Sequence, residues 1–232
     1  FLQGAFGALT VTMKLFPAIV TLHLLGGLVL LMLLQIQAIR YAQAQSEQSP
    51  IPVQNSTRLL IVAALGLLWL QVALGGWVST NYAVLACTDF PACQNSLWPA
   101  MDFRQGFTLW RELGASGNGV PGENISFQAL TAIHYLHRLS AYVVFVVLMT
   151  LSFRLYRLKA LRGQAQWLAG LTLLQVATGL GNVLLGWPLL AAVLHTGGAA
   201  ALVIVLTSIV FCSRNAFDTV SASKLSASRL SA

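Results

Sequence analysis

Apolar residues run along this chain in long blocks rather than in the two-residue alternation of a half-buried strand. Four blocks are long enough to cross a bilayer: about Pro17 to Ile39, Leu59 to Val78, Phe127 to Phe153 and Trp167 to Leu185. A fifth, about Leu189 to Cys212, follows a tight turn at Gly186-Trp187-Pro188. A membrane-spanning helix needs roughly 20 mainly apolar residues, so each block predicts one. Phe1 to Met13 is shorter and reads as the end of a truncated helix whose earlier part is missing. The breaks between blocks are polar. "YAQAQSEQSPIPVQNST" holds two prolines and predicts a loop within a 41–58 linker. "RLYRLKALRGQ" carries Arg154, Arg157, Lys159 and Arg162. A long loop spans 79–126, and the Ser/Ala-rich 213–232 predicts a disordered tail. The pattern predicts an all-α polytopic membrane protein.

Composition strengthens that reading. Of 232 residues, 57% are hydrophobic and 8% charged, against about 25% charged in a soluble domain. The net charge of +7 then bears on orientation. No basic stripe with interleaved aromatics is present, which argues against nucleic acid as a partner. Basic residues concentrate in 40–58, in 154–162 and after Arg214, three segments that the helix count puts on one side. That side is expected to be cytoplasmic. The 79–126 loop falls on the other side, with Arg104 and Arg111 against Asp89, Asp102, Glu112 and Glu123. Asn124-Ile125-Ser126 matches a glycosylation sequon, a weak signal. The start at Phe1 lacks the basic region and cleavage site of a signal peptide.

Two chemical features stand out in the loop and spans. Cys87 and Cys93, in "CTDFPAC", lie on the non-cytoplasmic side, where a disulfide is chemically allowed; two unpaired loop thiols are the alternative. Cys212, at the other end, reads as an inert thiol. All four histidines lie within predicted spans, and "HYLHR" places His134, His137 and Arg138 in one of them. Ionisable groups at that depth are costly and mark function by default.

A repeat links these features. "LQGAFG" at 2–7, "LQVALG" at 70–75 and "LQVATG" at 174–179 share Gln, then Ala at +2 and Gly at +4. Gln3 to His23 and Gln175 to His195 are the same interval, each with a proline opening the second helix and a Gly pair after the histidine. Two helix hairpins thus share one layout. Gly26, Gly27, Gly197 and Gly198, a turn below the histidines, would let a helix or a flat ligand approach the backbone. His23, His137 and His195 are expected at similar depth. Histidines from facing helices, without a thiolate or carboxylate beside them, suit six-coordinate haem iron better than zinc, which wants four compact ligands. His134 and His137 lie on nearly one helix face, so one is the ligand and the other a neighbour. Arg138, a suitable partner for haem propionates, favours His137. Interhelical hydrogen bonding is the bland alternative for each histidine, and the favoured one for His134.

"LQVALGGWVSTNYAVLACTDFPACQ", "HYLHR" and "LHTGG" together resemble the haem A synthase (CtaA) family. That resemblance implies two pseudo-symmetric four-helix halves, of which this chain holds the end of the first (1–40) and the whole second (59–212). It implies His137 and His195 as axial ligands of a haem b, and His23 as a ligand to the substrate, haem o. His23's partner histidine and a glutamate important for activity are then on the family's second helix, outside this chain. Cys87 and Cys93 match the second half's Cys pair. The implied reaction oxidises the C8 methyl of haem o to a formyl group, with water as oxygen source, giving haem A for cytochrome oxidase. Implied partners are haem O synthase and a quinone or other electron acceptor. The implied location is a bacterial inner membrane, with loop 79–126 periplasmic. Two rivals remain at this point: a membrane cytochrome b passing electrons between quinone and a partner, and a duplicated transporter with broken helices.

Overall fold

The computed structural model describes residues 1–46, 50–110 and 125–215. Helix α1 is Leu2–Thr12. Lys14 and Leu15 then adopt positive φ (50° and 59°), turning the chain into Pro17. Proline suits the first helical position because its missing N–H has no intrahelical role there. It opens α2, Pro17–Ser46. This helix overruns the predicted linker. "YAQAQS" is rich in Ala and Gln, good helix formers, and holds no breaker.

Helix α3 is Asn55–Thr80. The following loop contains a 3₁₀ turn, Ala83–Ala86, and a one-turn α4, Phe103–Gly106, capped by the Asp102 side chain. Helix α5 is Phe127–Tyr156, its first turn capped by the Ser126 hydroxyl, which accepts from Ala129 N–H at 3.2 Å. Helix α6 is Arg162–Leu184. Gly186 and Trp187, both at positive φ (69° and 64°), reverse the chain into α7, Leu189–Cys212.

Five of these helices, α2, α3, α5, α6 and α7, are long and apolar enough to cross a membrane. Around the second half the packing closes a ring. Helix α3 packs on α5, α5 on α6, α6 on α7 and α7 back on α3. Helices α5 and α7 are therefore diagonal partners. Helix α2 lies outside the ring against α3 and α7, and α1 packs on α2. The ring's core is built from Ile61, Leu68, Leu148, Leu151, Leu202 and Leu206 with their neighbours. Residues such as Leu33, Leu34, Val62 and Val146 are exposed on the outer surface. Apolar groups both inside and out are what a bilayer solvent asks for, with backbone polar groups satisfied within each helix.

At one end, β1, Ile51–Val53, pairs in parallel with β2, Ser213–Asn215, Ile51 opposite Ser213. The linker thus holds a strand, and the predicted disordered tail begins with one. The physical reason is non-local: two extended segments 162 residues apart satisfy each other's backbone groups. Segments 51–57 and 154–158 line one cleft at this end, so the basic segments do share an end, and the 79–126 loop lies at the other. Arg111, Glu112, Glu123, the sequon's Asn124 and the tail from 216 onward fall outside the described residues.

Candidate functional site

Three helix hairpins repeat one arrangement. In the first, Gln3 of α1 donates from Nε2 to the backbone carbonyl of His23 at 2.6 Å. In the third, Gln175 of α6 donates to the His195 carbonyl at 3.1 Å. The second is formed by α3 and α5. There Gln71 donates to the His137 carbonyl at 3.2 Å, and its Nε2 lies 3.1 Å from His137 Nδ1. The glycine four residues after each glutamine lies flat against the same imidazole. A Cβ at Gly7, Gly75 or Gly179 would meet Cε1 of His23, His137 or His195 at 3.2, 3.0 and 3.3 Å. Glutamine and glycine at i and i+4 face the same neighbour, so one helix supplies both an amide clamp and a bare wall for the ring.

The position three after each histidine completes the unit. A Cβ at Gly26 or Gly198 would overlap the Gln3 or Gln175 side chain, whereas Gly197 has nothing within 4 Å. Ser140 holds this position in the second hairpin and donates its hydroxyl to Gln71 Oε1. The small residues beyond the histidines thus admit a glutamine amide. At Gly26, Gly27 and Gly198 the expected close approach is that of the neighbouring helix, through its glutamine.

Around His195, the Thr178 hydroxyl donates to the Leu174 carbonyl at 2.8 Å and lies 3.0 Å from His195 Nδ1. A hydroxyl whose proton is engaged accepts from Nδ1–H, leaving Nε2 unprotonated and able to bind a metal. His137 and His195 stand on the diagonal helices of the ring. Among the described residues, no three His, Cys, Asp or Glu side chains converge as a metal cage. The donor set fits a cofactor that asks the protein for two imidazoles, such as a haem. It does not fit a closed tetrahedral zinc site. His23 lies apart, on α2 outside the ring, and its Nδ1 is buried without a partner.

The other face of α5 serves the loop. Thr131, His134, Tyr135 and Arg138 form one stripe at helical spacing. His134 Nδ1 lies 3.0 Å from the Ala83 carbonyl, and Tyr135 donates its hydroxyl to the Leu97 carbonyl. Arg138 donates from Nη1 to the carbonyls of Asp89 and Ala92 (3.0 and 2.7 Å), and from Nη2 to that of Cys87 (3.2 Å). Cys87 and Cys93 are joined by a disulfide, and both are fully buried. Within the loop, Asp89 accepts from the backbone N–H groups of Gln94 and Asn95 at 2.8 and 2.9 Å. These two residues carry positive φ of 56° and 57°. The amide of Asn95 foremost, then that of Gln94, holds the Asp89 carboxyl below its ordinary range, and Arg138 adds a smaller effect. The Gln94 side chain reaches Thr131 Oγ1 at 2.7 Å.

The family model COX15-CtaA, described as cytochrome oxidase assembly protein, matches residues 1–207. The chain belongs to this family. A protein named "Heme A synthase" from Shewanella oneidensis is 38% identical over 208 residues, covering 89% of this chain and 62% of that protein. Proteins of the same name from Methylobacterium radiotolerans and Methylorubrum populi are 29% and 31% identical over 216 residues, covering 54% and 52% of their lengths. The chain thus spans about half to three-fifths of these relatives.

In this COX15-CtaA chain His137 and His195 lie on the diagonal helices α5 and α7 of the ring, and His23 lies in a separate hairpin. It gives Arg138 a role the sequence did not suggest: its described bonds go to loop carbonyls, so a propionate would have to share or displace them. Sequence reasoning also missed the glutamines and the +4 glycines as parts of the site. The second copy of the repeat, "LQVALG" at 70–75, was the available signal. Its histidine escaped the equal-interval rule because the 79–126 loop intervenes.

Proposed function

We propose that this chain forms the haem-bearing half of a haem A synthase, the enzyme that converts the C8 methyl of haem o to a formyl group. The observation that carries the reading is the repeated Gln–His–Gly unit at His137 and His195, on diagonal helices of one ring, in a cytochrome oxidase assembly family. The naming of relatives as heme A synthases supports it. The rival of a purely electron-carrying cytochrome b finds no support in that family.

In this reading His137 and His195 hold a haem b between α5 and α7. A bis-histidine haem supplies one-electron transfer, with no open position for oxygen. The protein's part is positional. Gln71 and Gln175 fix the backbone behind each ligand, Gly75 and Gly179 set the plane of each ring, and Thr178 fixes the protonation of His195. Ring walls of Leu and Val exclude water. His23 would bind the substrate haem o in the other half, water would supply the formyl oxygen, and a quinone or similar acceptor would take up the electrons and protons released. Haem O synthase would deliver the substrate. The chain would lie in a bacterial inner membrane with loop 79–126 outside the cytoplasm.

The test is to express the full-length protein with haem o supplied, then extract and identify the haems. Haem A is expected from the wild type. The purified protein should show a low-spin haem b spectrum that His137→Ala and His195→Ala each abolish. Haem b without any conversion of haem o would return the protein to the cytochrome reading.

A further inference from the structure

At the end of the bundle away from the histidines lies a cleft of about 530 Å³. Gln54, Ser56 and Thr57 line it from the start of α3, and Arg154 and Arg157 line it from the end of α5. Helix α3 is 26 residues long and begins without a side-chain cap. Its first-turn N–H groups therefore lack intrahelical acceptors and carry the positive end of the helix dipole. Thr57 offers a further donor to the cleft. It is only 8% exposed, yet its hydroxyl takes no hydrogen bond among the described residues. Among the described residues no carboxylate lies near the two guanidinium groups, since Asp89 and Asp102 belong to the loop at the opposite end.

We infer that this cleft binds the phosphate of an anionic phospholipid headgroup. Phosphate oxygens match each donor: two guanidinium forks, a hydroxyl, and the free amides of a helix start. A lipid is favoured over free phosphate by position. The cleft sits where membrane-spanning helices end. The Arg157 guanidinium rests 4.4 Å over the Phe153 ring, and that ring is 62% exposed on the apolar outer surface. The chain of a lipid bound here would continue along that surface. This inference does not depend on the haem reading.

The experiment uses the full-length protein in detergent, titrated with dioleoyl phosphatidylglycerol or dioleoyl phosphatidylcholine and read by native mass spectrometry. Phosphatidylglycerol should be retained preferentially. The double variant Arg154→Gln/Arg157→Gln should weaken its retention by about tenfold or more, as loss of charge-assisted bonds implies. Thr57→Val, nearly isosteric, should weaken it by roughly threefold through loss of one hydrogen bond. Circular dichroism of both variants should match wild type, and the haem spectrum should be unchanged. Equal retention of the two lipids, or undiminished phosphatidylglycerol on the double variant, would sink the proposal. In a parallel arm, inorganic phosphate that stabilises the protein against heat while phosphatidylglycerol shows no preference would identify a free-anion site and overturn the lipid assignment.

Discussion

Gly75 is the residue on which the geometry of the His137 site is most sensitive. A methyl there would stand 3.0 Å from the imidazole, and at Gly179 a methyl would stand 3.3 Å from its ring. Both ask the imidazole to give by a few tenths of an ångström, and the first asks for more. Gly75→Ala is therefore expected to shift the visible spectrum of bound haem, or reduce its retention, more than Gly179→Ala. Gly66→Ala is the control. It lies in the same helix with nothing within 4 Å, so it should leave the spectrum alone. It should stabilise the protein by roughly 0.5–1 kcal/mol in thermal melts, because alanine loses less entropy in a helix. His134 makes its bond to the Ala83 carbonyl, not to a neighbouring helix ligand, so His134→Ala should keep the haem spectrum.

At the level of elements, the 87–96 segment is held by α5 from below and by Asp89 from within. Arg138 is 7% exposed and its three carbonyl acceptors have no other described side-chain donor. Arg138→Lys keeps the charge but presents a point donor in place of a planar fork. It should loosen the loop, seen as faster reduction of the Cys87–Cys93 disulfide by a mild thiol. Asp89 makes a pH prediction with a definite sign. Its folded-state pKa lies below the ordinary value of an aspartate, so its contribution is full above that value and fades only as pH falls through the lower folded value. The amide resonances of Gln94 and Asn95 should hold steady from pH 8 to 5 and move only in stronger acid. In Asp89→Ala they should be displaced at every pH.

For the molecule as a whole, the two ends of the ring are tied differently. Arg58 links the start of α3 to the end of α7 through the Ser213 carbonyl (3.2 Å) and hydroxyl (2.9 Å), and through the Val210 carbonyl. These are terminal carbonyls without intrahelical partners. Arg58→Gln should lower the stability of the bundle by about 1–3 kcal/mol in thermal melts, with the haem spectrum of the folded protein unchanged. His23 sits outside the ring, on α2. Replacing it with alanine should preserve the resident haem spectrum and reduce haem o conversion by the full-length protein. Loss of the resident haem to the same extent as in His195→Ala would show that the two halves are not separate sites.

The sequence alone determined the five membrane-spanning segments, the shared end of the basic connections and the identity of the histidine-bearing helices. These follow from local quantities: the length of apolar runs, the parity of crossings, and equal intervals within a hairpin. It also supplied the Gln-x-Ala-x-Gly repeat, but not its use. That Gln71 serves His137, 66 residues away, depended on α3 and α5 packing side by side across a long loop. Only the tertiary structure decided that Arg138 and His134 share the loop-facing stripe of α5 while His137 faces Gln71. Adjacent positions in "HYLHR" point about 100° apart around a helix, so their roles diverge as soon as different neighbours pack on each face. The pairing of β1 with β2 was equally hidden, because three-residue strands carry no periodicity and form where two chain segments happen to meet. A buried polar group must find its partner wherever packing brings one, and that partner is set by the fold.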